Sequence, residues 1–141
     1  MIDCFKNLQW LDLQNNYLKQ VDDGISYFHN LKTLYLHGNY ISDMQEVQKL
    51  QSLPKLRNLT IHSNPLTSIK DFRLYVIALL PELRKIDTVL ITHKERDNAL
   101  FMTSLYKHKR LPVYDGPDLV KPPSDNQTSQ ISKTVINEED L

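Results

Sequence analysis

The residues of this 141-residue chain best placed to do chemistry fall in two short stretches, Tyr35-Leu36-His37 and Thr60-Ile61-His62-Ser63. Two imidazoles can hold zinc, trade protons near neutral pH or activate a neighbouring hydroxyl. With Asp87 they would make a tyrosine–histidine–carboxylate site, with Thr60 or Ser63 as the hydroxyl in reach. Nothing in the sequence orients that hydroxyl, and no third metal ligand falls in step with the two histidines. Gly24, Gly38 and Gly116 are the only glycines, too few for a phosphate-cradling loop, and P-loop, zincin and nucleophile-elbow motifs are absent. The single cysteine, Cys4, excludes an internal disulfide and a CxxC pair. The expectation is a non-enzymatic protein with no cofactor and no metal, whose two histidines form a surface polar pair or a pH-sensitive contact.

Leucine supplies 22 residues, and they are periodic. Leu8 to Leu18, Leu31 to Ile41 and Leu56 to Leu66 superimpose without gaps as LxxLxLxxNxL, allowing Ile for Leu. Val21, Met44 and Ile69 each follow three residues later, and a degenerate fourth unit runs Leu83-Arg84-Lys85-Ile86-Asp87. Unit starts are 23, 25 and 27 residues apart. This is the leucine-rich-repeat signature. One strand and its return segment cannot bury their apolar side alone, so several turns must stack around a continuous core. The expected fold is α/β, a short solenoid of about four turns with a parallel sheet on its concave face. Strands are expected near 10–13, 33–36, 58–61 and 85–87. Asn16, Asn39 and Asn64 sit where the chain leaves each strand, and their amides are expected to satisfy backbone groups left unpaired by the turn.

Strand alternation sends Leu-x-Leu inward and the intervening residues outward. Stacking then sorts the outward residues into columns. One holds Trp10, Thr33, Asn58 and Lys85; the next Asp12, Tyr35, Thr60 and Asp87; the third Gln14, His37, His62 and Val89. Adjacent strands would bring His37 and His62 to about 5 Å. Large aromatics at outward strand positions are typical interface anchors. Trp10, Asp12, Gln14, Tyr35, His37, Asn58, Thr60, His62 and Asp87 are therefore the candidate protein-binding residues, with Asp12 and Asp87 placed to orient a basic partner segment.

Ser68-Ile69-Lys70-Asp71 reads as a helix start, and Phe72, Tyr75, Val76, Leu79 and Leu80 form one apolar face up to Pro81. A cap helix over 69–80, inserted before the last strand, is expected. Thr92-His93-Lys94-Glu95 is a second capping box, opening a helix over 92–110 with Leu100, Phe101, Met102, Leu105 and Tyr106 available for packing. The run Phe72-Arg73, Tyr75-Val76, Leu80-Pro81, Leu83, Ile86-Asp87, Ile91-Thr92 and Arg96 resembles the C-terminal cap of the SDS22-like class of leucine-rich-repeat proteins. The resemblance covers about residues 5–106. It departs at Ile86-Asp87-Thr88, where the class usually has Leu-Asp-Gly. It implies a non-enzymatic interaction scaffold or adaptor, in the cytoplasm and at the cilium or axoneme. Other members of the class imply two alternatives: a regulatory subunit of the phosphatase-regulator type, or a ribonucleoprotein adaptor.

The chain enters mid-repeat at Phe5–Leu8, so the strand near Trp10–Leu13 is expected to be an open edge. A fragment, an alternative start or a covering partner would each account for that edge, and the chain is expected to be a monomer or a dimer paired edge to edge through it. From 111 to 141 the pattern stops amid Pro112, Gly116-Pro117 and Pro122-Pro123, and a disordered tail is expected, the alternative being that 111–120 lies along the solenoid to cover Val113, Tyr114, Leu119 and Val120. Residues 1–111 carry 15 basic and 11 acidic side chains, and 112–141 carry 2 and 6. That balance gives no support to direct nucleic-acid binding. The lone thiol, the lack of an apolar run of about 18 residues and a start without an apolar signal core point to a cytoplasmic protein off the membrane.

Overall fold

The computed structural model describes residues 5–107, 109–117 and 135–136. The repeats build strands β1 (Trp10–Asp12), β2 (Thr33–Tyr35), β3 (Asn58–Thr60) and β4 (Lys85–Ile86). They pair in parallel with the columns in register: Trp10, Thr33, Asn58 and Lys85 lie side by side, as do Asp12, Tyr35 and Thr60. The inward residues Leu11, Leu34, Leu59 and Ile86 are all buried, with Leu8, Leu31, Leu36, Leu56, Ile61 and Leu83 in the same core. The chain is an α/β leucine-rich-repeat solenoid.

Return segments shorten toward the front. The first is a 3-10 turn, Asp23–Tyr27; the second is helix α1 (Met44–Gln48) running into a 3-10 turn, Lys49–Ser52. They are bolted together by Glu46. Its carboxylate is buried and accepts from the Val21 N–H at 2.8 Å and from Lys49 Nζ at 3.0 Å. Lys49 in turn donates to the Val21 carbonyl at 3.1 Å. A buried carboxylate without those donors would be strongly destabilising.

The C-terminal cap departs from the sequence reading at its start. Ser68 ends a 3-10 turn, Pro65–Ser68, and does not cap a helix. Helix α2 is Phe72–Leu79, preceded by Asp71 in the left-handed region at φ 60°. Val76, Ile77, Ala78 and Leu79 are buried over the end of the core. The fourth turn closes as a hairpin: β4 turns at Asp87 and Thr88, both at positive φ, and returns antiparallel as β5 (Val89–Leu90). Helix α3 (His93–Tyr106) opens on the expected capping box, with Thr92 Oγ1 accepting from Glu95 N–H and Glu95 accepting from Thr92 N–H. Glu95 also takes Arg73 Nε at 2.6 Å, and Arg96 donates to the Pro81 and Leu83 carbonyls, so α3 is tied to α2 and to the stretch that leads from α2 into β4. Of the residues expected to pack, Met102 is buried, joined by Ala99, whereas Leu100 and Phe101 are 70% and 69% exposed; the side chains of Leu105 and Tyr106 lie outside the described residues.

Two further corrections concern the ends. Residues 111–114 are not free: Leu111 is buried, the Met44 N–H donates to the Pro112 carbonyl, and Tyr114 N–H donates to the Ser42 carbonyl. The front edge is also not open. Strand β6 (Val135–Ile136) lies antiparallel on β1, giving the sheet order β5-β4-β3-β2-β1-β6. The remainder of the tail expected to be disordered, 118–134 and 137–141, lies outside the described residues.

Candidate functional site

The three asparagines form a ladder at the ends of β1, β2 and β3. Asn39 Nδ2 donates to the Leu36 carbonyl at 2.8 Å and to the Leu13 carbonyl of the preceding turn at 3.0 Å, while its Oδ1 accepts the Leu18 N–H. Asn64 repeats this one turn on, with Ile61, Leu36 and Ile41. Asn16 donates to the Leu13 and Gln14 carbonyls. All three are buried. Each is preceded by a residue at positive φ: Asn15 at 53°, Gly38 at 72° and Ser63 at 57°. That kink turns the chain off the strand and brings Gln14, His37 and His62 to one rim of the concave face.

On that face the aromatic residues run as a continuous diagonal. Trp10 meets Tyr35 edge to face with ring centroids 5.4 Å apart; Tyr35 meets His37 at 6.0 Å; His37 stacks on His62 at 4.5 Å. Trp10, Tyr35 and His37 are half-buried and His62 is exposed. Asn58, also half-buried, donates Nδ2 to Thr33 Oγ1 at 3.2 Å. The sequence reading thus brings together Trp10, Gln14, Tyr35, His37, Asn58 and His62 on one accessible surface.

The other candidates lie beneath it or beyond it. Asp12 is buried, and its two oxygens accept the Gln14 N–H at 2.9 Å and Gln14 Nε2 at 2.6 Å. This aims Gln14 Oε1 at His37 Nε2, 2.5 Å away. A carbonyl oxygen only accepts, so Nε2 carries the ring proton. Nδ1 of the neutral ring then accepts from the buried Thr60 hydroxyl at 2.7 Å. Burial pushes the His37 pKa below its ordinary value and the neighbouring His62 pushes the same way, against Asp12 and Asp87. Asp12 and Thr60 are therefore positioning groups. Asp87 caps the sheet: its Oδ1 accepts the Ile61 N–H at 2.6 Å and the His62 N–H at 3.0 Å, in place of a further strand. The expectation that Asp12 and Asp87 orient a basic segment meets two carboxylates already engaged. Val89 leaves its column because the chain has already turned back into β5.

Among the described residues, no three His, Cys, Asp or Glu come together as a metal site, and no helix is long and apolar enough to cross a membrane. His62 Nδ1 lies 3.1 Å from Ser63 Oγ in the same turn. A feature the column reading missed is the stack of Tyr17 on Tyr40, with centroids 6.0 Å apart and planes 16° from parallel. Its signal was present, since each tyrosine directly follows a ladder asparagine.

Comparison with known proteins agrees with this geometry. A family model described as a leucine-rich repeat matches residues 2–112. Leucine-rich repeat-containing protein 51 of Bos taurus is 44% identical over 94 residues, 67% of this chain and 49% of that protein. Its Homo sapiens counterpart is 43% identical over the same shares. Leucine-rich repeat-containing protein 23 of Xenopus tropicalis is 32% identical over 98 residues, 70% of this chain and 28% of that protein. The chain spans about half the length of the curated relatives it matches first. Among solved structures, a chain of the Drosophila melanogaster SNF/U2A′ complex superimposes with TM-score 0.65 at 27% identity, covering 68% of this chain and 56% of that one. The Mex67 leucine-rich-repeat domain of Chaetomium thermophilum shares the fold, with TM-score 0.54 at 24% identity, covering 64% and 63%.

Proposed function

Since the chain belongs to the leucine-rich-repeat family, whose members typically mediate protein–protein interaction and are generally not enzymes, we propose that it is a scaffold or adaptor that grips a protein partner on its concave face. The observation that carries this reading is the Trp10–Tyr35–His37–His62 diagonal. Two large aromatics and a stacked imidazole pair are held by a sheet, a ladder and a carboxylate–amide–imidazole chain, so little side-chain freedom is lost on binding. Amphipathic rings of this kind are the side chains that dominate interface energetics.

We further propose that the partner is cytoplasmic and that the site of action extends to the cilium or axoneme, as the resemblance to the SDS22-like class suggests. Direct binding to nucleic acid or membrane forms no part of the proposal, because the repeat region carries only a small net charge. The likeness to a chain solved in the SNF/U2A′ complex favours a second reading, an adaptor within a ribonucleoprotein assembly. A regulatory subunit of a phosphatase-type enzyme is the third. A photo-crosslinking residue at Tyr35, compared with one at Ser52 on the opposite surface, tests the proposal. Partner bands are expected from position 35 and not from position 52; their identity chooses among axonemal, phosphatase and ribonucleoprotein roles. Crosslinks from position 52 alone contradict it.

A further inference from the structure

Where each repeat enters its strand, the residue after the first leucine is Gln9, Lys32, Arg57 and Arg84 in turn. The backbone locks them side by side. The Lys32 N–H donates to the Gln9 carbonyl at 2.8 Å, the Arg57 N–H to the Lys32 carbonyl at 2.9 Å and the Arg84 N–H to the Arg57 carbonyl at 2.7 Å. Lys85, opposite Asn58 at the end of the Trp10 column, extends the row onto the concave face. Lys32, Arg84 and Lys85 are exposed and Arg57 is half-buried.

Cations on neighbouring strands sit roughly 5 Å apart at the backbone, and like charges opposite one another across a sheet are destabilising. The fold carries this arrangement without relief. Among the described residues, no carboxylate lies within ion-pair distance of Lys32, Arg57, Arg84 or Lys85. The carboxylates of the concave face, Asp12 and Asp87, sit at the opposite ends of the strands and are engaged there. The row is also braced. Arg57 Nη1 donates to the Pro54 carbonyl at 3.2 Å and to the Leu56 carbonyl at 2.9 Å, which steadies the guanidinium and leaves Nε and Nη2 for a ligand. Lys55, two residues before it, rests its Nζ on Asn30 Oδ1 at 2.7 Å, a neutral partner that leaves its charge in place.

We propose that this row docks an acidic segment of a partner protein, rich in Asp and Glu, whose carboxylates supply the counter-charges that Lys32, Arg57, Arg84 and Lys85 lack. The proposal rests on the concave-face reading and adds the sign of the partner's charge. That sign is opposite to the one Asp12 and Asp87 suggest in the sequence. Each guanidinium can take a carboxylate through two parallel hydrogen bonds, and the uncompensated charge steers an acidic partner toward the face before contact. A nucleic acid fits less well. The row spans three strands, roughly 10 Å, and the rings on the same face, Trp10 and Tyr35, are packed edge to face on each other rather than open to a base.

The test is fluorescence anisotropy of a labelled hexaglutamate peptide titrated with the full chain. The peptide is expected to bind, with an affinity that falls as salt is raised. Lys32→Glu/Arg84→Glu is expected to weaken it at least ten-fold, and Lys32→Gln/Arg84→Gln at least three-fold. Relieved of mutual repulsion, the glutamine variant is expected to melt no lower than the original. Lys70→Glu/Lys94→Glu, a control reversing two exposed charges outside the row, is expected to bind within two-fold of the original. Trp10→Ala/Tyr35→Ala is expected to keep the peptide, which has no apolar side chain to lose there. The two readings can therefore fail separately: equal binding by the original and both row variants overturns this proposal and leaves the aromatic diagonal standing. No binding by the original, an equal loss in the Lys70/Lys94 control or a clearly lower melting temperature in the glutamine variant overturns it too. Tighter binding of a ten-nucleotide oligothymidylate than of the peptide would assign the row to nucleic acid, and a dimer dissociated by the row variants would assign it to a second copy. Either result overturns the acidic partner.

Discussion

His37 and His62 stack nearly face to face across adjacent strands, with centroids 4.5 Å apart and planes 17° from parallel. The stack is compatible with one charge at most without repulsion. Burial and His62 both hold the His37 pKa below its ordinary 6.5. The unfolded chain therefore takes up the proton first as pH falls, and the stability that His37 contributes as a neutral ring is present above pH 6.5 and lost as pH drops through its lower folded value. The melting temperature should fall on going from pH 7 to pH 5, and His37→Gln should flatten that dependence. In His62→Gln the His37 ring should titrate at higher pH by NMR. A His37 titration unmoved by that substitution would contradict the coupling.

Asn39 satisfies three backbone groups in two successive turns: the Leu13 and Leu36 carbonyls and the Leu18 N–H. Asn39→Ala leaves them unpaired in a buried setting, where each such group costs on the order of 1–3 kcal/mol. The expected loss is about 3 kcal/mol or more, measured by urea unfolding. Asn39→Asp, which keeps an acceptor for Leu18 but offers no donor to the carbonyls, should not rescue it. A loss below about 1 kcal/mol would show that the ladder is not what sets the turn.

The second cap helix depends on Glu95. The Arg73 guanidinium, then the Thr92 N–H, hold its carboxyl down to about 2, against the opposing effect of burial. A depressed carboxylate contributes stability that is complete above its ordinary value of 4.5 and disappears as pH falls toward 2. Glu95→Gln should cost about 1–2 kcal/mol at pH 7, discounted for the partly exposed setting. It should also remove the acid sensitivity between pH 4.5 and 2. Parallel acid-unfolding curves for the two proteins would contradict this role.

The repeat itself was legible because its determinants are local and periodic. Leucine or isoleucine at the inward strand positions and an asparagine at the first three exits leave one register in which strands can stack, and the columns of the concave face follow. Less legible were features set by backbone conformation. Asn15, Gly38 and Ser63 share a left-handed φ, yet only Gly38 announces it; a Cβ there would also run into Asn15 Oδ1. At Asp71 the same conformation displaces the start of α2 from the apparent Ser68 cap. Asp87-Thr88 turns back through two positive φ values without a glycine, which took Val89 out of its column and made Asp87 a cap. Burial of Asp12 and Thr60 beneath their neighbours, and the docking of 111–114 and 135–136, depend on contacts distant in sequence that no periodicity records.

The concave face is the centre of this account, and an affinity capture from ciliated-cell extract tests it most directly. The bait is this chain, set against a Trp10→Ala/Tyr35→Ala/His62→Ala version whose circular dichroism and melting curve match the original, with captured proteins identified by mass spectrometry. At least one protein held by the original and lost from the triple variant is expected. A partner list unchanged by the three substitutions would contradict the account and move recognition to another surface.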